Sequence, residues 1–216
     1  MASTTIDTET ELSAVNAILG AIGQSPVTTL GTSSIDNTVE AYDNPEVAFI
    51  YNLLRDANVD VQNEGWHFNT EKHVTYTPDA STGKISIGND ILKMDTTDGW
   101  VKRQHDVVKR DGYLYDKYNH TDDFSDHTSI NLDITRLLTY NNIPSPFKRY
   151  IIYKAATRAA TQLVGNPQLA KLLQQQEMIA RATCMEYECN QGNPSMFGFP
   201  EDTSYTTYQP WRNLRR

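Results

Sequence analysis

The spacing of the apolar residues changes twice along this chain, and that change constrains the fold more than any single motif. Two stretches with helical spacing come first, a stretch of two-residue alternation follows, and two more helical stretches come after it. A helix buries a stripe and a half-buried strand buries alternate residues, so no single uniform architecture accommodates the whole chain. The first helix is expected over Glu9 to Ile22, where Leu12, Val15, Leu19 and Ile22 step by three and four with Ile18 beside them. Thr8 and Glu11 have the spacing of a capping box. Gly23 stands where a left-handed stop is needed, and Gln24 to Val27 leaves as an extended exit. The second helix is expected over Pro45 to Glu64, with Asn44 as its cap, Val47, Ile50, Leu54, Ala57 and Val61 on one face, and Gly65 as its stop. The polar, turn-rich stretch from Gly31 to Asp43 is expected to be a loop.

Between Trp66 and Tyr140 the alternation predicts a small antiparallel β region. Strands are expected at His73 to Thr77, Lys84 to Ile87 and Ile130 to Ile134, with Trp100 packed beneath them. Val107-Val108, Asp111-Gly112 and Tyr113 to Tyr115 form the strongest hairpin signal, because Asp-Gly supplies the positive φ angles of a tight turn. After Ser145-Pro146 a third helix is expected, with Phe147, Ile151, Ala155, Ala159 and Leu163 in one row and Ile152, Ala156, Ala160 and Val164 in the next. Its alanines allow close helix approach. Gly165 stops it, and Asn166-Pro167 starts a fourth helix running to Cys189. The apolar stripe of that helix (Leu169, Leu172, Leu173, Ile179 and Tyr187) is thin, which suits a partly exposed or intersubunit position. The expected fold is therefore α+β: a mainly helical four-helix core with an inserted small antiparallel β subdomain and an extended C-terminal tail. Residues 1–65 and 144–189 form the core, 66–143 the insertion and 190–216 a docking arm.

Of 216 residues, 38% are hydrophobic and 21% charged, which fits neither a disordered nor a membrane chain. No apolar run approaches the roughly 18 residues that span a bilayer. The stretch Met1 to Glu9 has neither a basic region nor an apolar one, so no secretory leader is expected. Two cysteines suit a reducing compartment. The net charge of −8 argues against a nucleic-acid binder. It is unevenly distributed: residues 1–146 carry 10 Lys and Arg against 22 Asp and Glu, and residues 147–216 carry 9 against 5. One part repels polyanions and the other can meet an acidic surface.

The chain has no phosphate loop, nucleophile elbow or zincin motif. His120 to His127 gathers Asp122, Asp123 and Asp126, but with no Ca²⁺-loop spacing, and a solvated turn is the better reading. Glu186 and Glu188, two residues apart on a helix, diverge by roughly 200° and cannot flank one bond. Cys184 with His67 or His127 is a conceivable nucleophile pair, but a lone helical cysteine is usually a small buried hydrophobe. Trp66-His67-Phe68 reads as a packed helix–strand corner. The last segment differs from a free tail: Phe197, Phe199, Tyr205, Tyr208 and Trp211 followed by Arg212, Arg215 and Arg216 are residue types enriched at interface hot spots.

The run from Glu11 to Val27 closely resembles the opening of tail tubular protein A, the head-to-tail adaptor of autographivirus-type short-tailed phages. Gly65 to Asn69, Asp111 to Asp116, Phe147 to Tyr150 and Cys184 to Glu188 resemble the family's further landmarks, in the same order, and the resemblance covers residues 9–189. It implies a structural protein of the virion tail, at the head–tail junction, assembled in the host cytoplasm. It implies a ring of twelve subunits joining the portal protein to the tail nozzle, tubular protein B, with the tail fibre protein attached nearby. It implies too that genomic DNA passes through the lumen without sequence-specific binding. No catalytic residue, cofactor, metal or membrane anchor is expected. On this reading the aromatic and arginine residues of the tail meet the portal, and the hairpin Lys109, Arg110, Asp111, Gly112 and Tyr113 meets the nozzle or fibre. The alternative is a tail-associated glycan hydrolase acting on host surface polysaccharide, which requires two carboxyls roughly 5–10 Å apart in an aromatic cleft.

Overall fold

The computed structural model describes residues 9–33, 39–42, 44–97 and 105–192. They form a helical unit, up to Glu64 and from Leu138–Glu188, and a β unit, Gly65–Leu137.

In the helical unit, α1 spans Glu11–Ala21 and starts two residues later than its apolar pattern suggested. Thr10 is the cap, its Oγ1 accepting the Ser13 N–H at 3.3 Å; Thr8 lies outside the described residues. At the other end Gln24 N–H donates to Leu19 O at 2.8 Å and Gly23 N–H to Gly20 O at 3.2 Å. That paired closure needs a left-handed residue, and Gly23 supplies it at φ 80°. The stretch expected to be a loop instead holds a short antiparallel ribbon, β1 (Gly31–Ser33) with β2 (Val39–Tyr42). α2 spans Pro45–Gln62, with Asn44 Oδ1 accepting the Glu46 N–H at 3.0 Å.

α3 spans Ser145–Ala159 and packs against both α1 and α2. Phe147, Ile151, Ala155 and Ala159 are all fully buried, as are Val15, Ile18, Ile50 and Leu54 on the two helices that α3 packs against. Burying each large aliphatic side chain contributes about 1.5–3 kcal/mol. The predicted rows break at their C-terminal end: Ala160–Val164 is one π turn, and Leu163 and Val164 are 46% and 44% exposed. α4 spans Pro167–Gly192, capped by Asn166 Oδ1, which accepts the Gln168 N–H at 3.0 Å. Buried Gln62 ties the unit together by reading both backbone groups of Leu138: Nε2 donates to its carbonyl at 2.9 Å and Oε1 accepts its N–H at 2.7 Å.

The β unit contains a three-stranded antiparallel sheet and a separate hairpin. β7 (Ile130–Arg136) lies between β3 (Thr70–Tyr76) and β4 (Ile91–Thr96). β5 (Val107–Arg110) pairs with β6 (Tyr113–Asp116). Ile130, Leu132 and Ile134 of β7 enter a core completed by Ile85, Ile87, Ile91, Val107, Leu114 and Phe124. Lys84 to Ile87 is not a ladder strand: Ile85 and Ile87 are buried and Ser86 exposed, as alternation requires, but pairing is limited to a bridge from Ser86 to Tyr113. β3 is bulged between Glu71 and Val74, where His73 adopts φ 58° and donates its N–H to Asp133 Oδ1 at 3.1 Å. Trp100 lies outside the described residues.

Candidate functional site

The hairpin β5–β6 is where the expected partner-facing residues can be located. Asp111 at φ 51° and Gly112 at φ 80° make the turn, the conformation that Asp-Gly permits and most residues resist. Its cations do not all project freely. Lys109 Nζ donates to Gly88 O at 2.7 Å and to Asn89 Oδ1 at 3.1 Å, so it braces the neighbouring turn. The Arg110 guanidinium lies 3.9 Å over the Tyr115 ring, a cation–π contact that leaves its N–H groups available. Tyr113 is 42% exposed, and Lys84 Nζ sits 5.4 Å from its ring centre. Arg110, Asp111 and Tyr113 are thus the outward elements, and Lys109 positions them.

The base of the hairpin is held by a group that sequence reasoning missed. Asp116 is fully buried. Its Oδ2 lies 2.6 Å from His105 Nδ1 and accepts from Asn119 Nδ2 at 2.7 Å; its Oδ1 accepts the N–H groups of Tyr118 at 2.8 Å and Asp106 at 3.2 Å. Burial alone pushes this carboxyl up, but the hydrogen bonds from His105, Tyr118, Asn119 and Asp106 outweigh it and hold it at about 2. The Asp116-x-x-Asn119 spacing after a strand was the only sequence trace of this knot. His105 also meets His127 edge to face at 4.8 Å.

The chemical candidates resolve into packing. Asp122 pairs with Lys84 at 2.6 Å and Asp123 Oδ1 accepts the Ser125 N–H at 2.9 Å, so the acidic turn is internally satisfied. Among the described residues no three His, Cys, Asp or Glu side chains are placed to hold a metal. Cys184 is buried with Sγ 3.4 Å from Pro146 O, and burial pushes its thiol up to about 12, which suits packing rather than nucleophilic attack. Trp66 is buried beside Asn69, whose Oδ1 accepts its N–H at 2.8 Å, while His67 is exposed. Glu186 is exposed and Glu188 half-buried on the same helix.

Within the helical unit a groove of about 370 Å³ runs between α3 and α4, lined by Pro146, Arg149 and Tyr153 on one wall and Gln176, Ile179 and Thr183 on the other. Among the described residues its lining includes no Asp or Glu, so it does not present the pair of carboxyls that a glycan hydrolase needs. Phe197, Phe199, Tyr205, Tyr208, Trp211, Arg212, Arg215 and Arg216 lie outside the described residues.

No helix among the described residues is long and apolar enough to cross a membrane. The chain finds no match among curated proteins. A family model, that of the tail tubular proteins, matches residues 12–194 and so takes in nearly all of the described residues. On that match the chain belongs to the tail tubular protein family, structural components of the phage tail.

Proposed function

We propose that this chain is the subunit of a twelve-membered ring that joins the capsid portal to the tail nozzle and surrounds the path of the ejected DNA. The observation that carries the proposal is the family match over residues 12–194. The charge distribution supports it: the net −12 of residues 1–146 gives a DNA channel an acidic wall that repels the duplex and lets it slide. The buried alanines of α3 support it too, since they let helices approach closely and so suit a tightly packed ring subunit.

In this proposal the outward hairpin residues Arg110, Asp111 and Tyr113 face the nozzle or the tail fibre. The segment from Phe197 to Arg216 docks on the portal, with its aromatics as anchors and its arginines pairing with acidic groups. The role needs neither a catalytic group nor a cofactor. Assembly occurs in the host cytoplasm, and the finished ring resides at the head–tail junction of the virion.

The test is co-sedimentation with the portal ring of the same phage. The full chain is expected to sediment with the portal, and a chain ending before Tyr205 to do so at least ten-fold more weakly while its helical core still folds. Unchanged binding by the shortened chain overturns the docking arm. No binding by the full chain overturns the adaptor role.

A further inference from the structure

Among the described residues, α4 leaves much of its apolar surface uncovered. Leu173, Ala180 and Cys184 form its buried stripe. To one side of that stripe Leu172 and Ile179 are each 61% exposed; to the other, Met178 and Met185 are 68% and 48% exposed. Each pair repeats after seven residues, close to two turns, so each makes a short ridge along the helix. At about 100° per residue the two ridges stand about 120° apart, and Lys171, Gln175 and Glu186 lie on the polar surface between them.

The groove between α3 and α4 lies on the Ile179 side of the helix. Its α4 wall of Gln176, Ile179 and Thr183 lies roughly 140° around the helix from the methionines. One helix thus carries a slot on one side and two long, unbranched, adaptable side chains on the other, the type that fills irregular gaps. These surfaces face away from each other and cannot meet within one molecule. Between copies they meet head to tail, the heterologous contact that closes rings.

We infer that the Met178–Met185 ridge of one copy seats in the Pro146–Tyr153–Ile179 groove of the next, making α4 the lateral seam of the assembly. The inference deepens the ring reading above and rests on it. The occupant is a second copy because slot and ridge sit at the same level of the same helix: Met178 and Ile179 are adjacent, so rotation about an axis along α4 brings one against the other without a shift. Any other partner filling the groove leaves the methionine ridge uncovered. Two apolar side chains per side supply only a fraction of the roughly 800 Å² each partner buries in a standard interface. The seam is therefore weak for an isolated pair and closes fully on the portal template.

The test uses the full chain assembled on the portal ring and imaged by electron microscopy. In a Cys189→Ser background, Met178→Cys and Thr183→Cys are combined in one chain and treated with a short bis-maleimide. A covalent ladder extending past the dimer is expected; either substitution alone gives monomer, and a mixture of the two single variants stops at the dimer. Rings without a ladder overturn the seam while leaving the ring reading intact, and so does dimer formation by the Met178→Cys chain alone, which marks a two-fold contact. Absence of rings from the unsubstituted chain overturns the ring reading itself, and the seam with it. A Met178→Glu, Met185→Glu chain should lose at least ten-fold in ring yield with an unchanged Tm, because both side chains are exposed. Undiminished yield overturns the inference.

Discussion

Replacing Asp116 with asparagine should loosen the base of the β5–β6 hairpin, in a manner that depends on pH. The carboxylate is fully buried and sits at about 2, against about 3.9 for an unfolded aspartate. A gap of about two units corresponds to about 2–3 kcal/mol of stability from the charged form. Because the folded value is the lower one, that contribution is complete above about pH 4 and disappears as the pH falls through about 2. Asparagine keeps the shape, and its oxygen can still accept the Asp106 and Tyr118 N–H groups, but its amide nitrogen meets His105 Nδ1 and Asn119 Nδ2 where an acceptor is needed. Asp116→Asn should therefore cost about 2–3 kcal/mol at pH 7, with the difference from the parent narrowing between pH 4 and pH 2. The assay is hydrogen exchange at the Asp106 and Tyr118 amides, expressed as protection relative to the unfolded chain across that range. A difference that is the same at pH 6 and pH 2 refutes the reasoning, because the charge would then not be what holds the knot.

Three further perturbations probe other parts of the structure. Gln62→Leu strands the N–H and C=O of Leu138 and should lower stability by about 2–4 kcal/mol in urea unfolding; a loss below about 1 kcal/mol means water replaces the side chain. Ala156→Leu places extra volume at a buried α3 position and should cost about 1–3 kcal/mol and lower Tm; normal rings with an unchanged Tm contradict the close packing. Iodoacetamide at pH 8 should modify exposed Cys189 and spare Cys184, whose thiol is pushed up to about 12 by burial; two rapidly labelled sites by mass spectrometry contradict that burial.

What could be read from the sequence was mostly what depends on near neighbours. Asn44, Gly23 and Asn166 mark helix ends because a cap is chosen by the few backbone groups beside it. Asp111-Gly112 marks the hairpin for the same reason. The ribbon β1–β2 was missed because its strands are only three and four residues long and sit in a turn-rich stretch, too short for alternation to register. β4 was missed because Leu92 and Met94 are half-buried and blur the alternation begun by Ile91. Lys84 to Ile87 reads as a strand because burial imposes alternation even where only one bridge forms. The α3 rows ran past Ala159 because spacing alone does not register a π turn or the point at which burial ends. At the candidate site, the turn residues were legible but the division of labour was not. Lys109 binds a turn some twenty residues earlier and Asp116 binds a histidine eleven residues earlier, and only the folded chain brings these groups together.

Whether the chain forms a ring between portal and nozzle is read most directly by mixing the purified chain with the portal ring of the same phage and imaging the product by electron microscopy. A twelve-fold layer stacked on the portal is expected. A chain that stays a free monomer at high concentration, with the portal left bare, would contradict it.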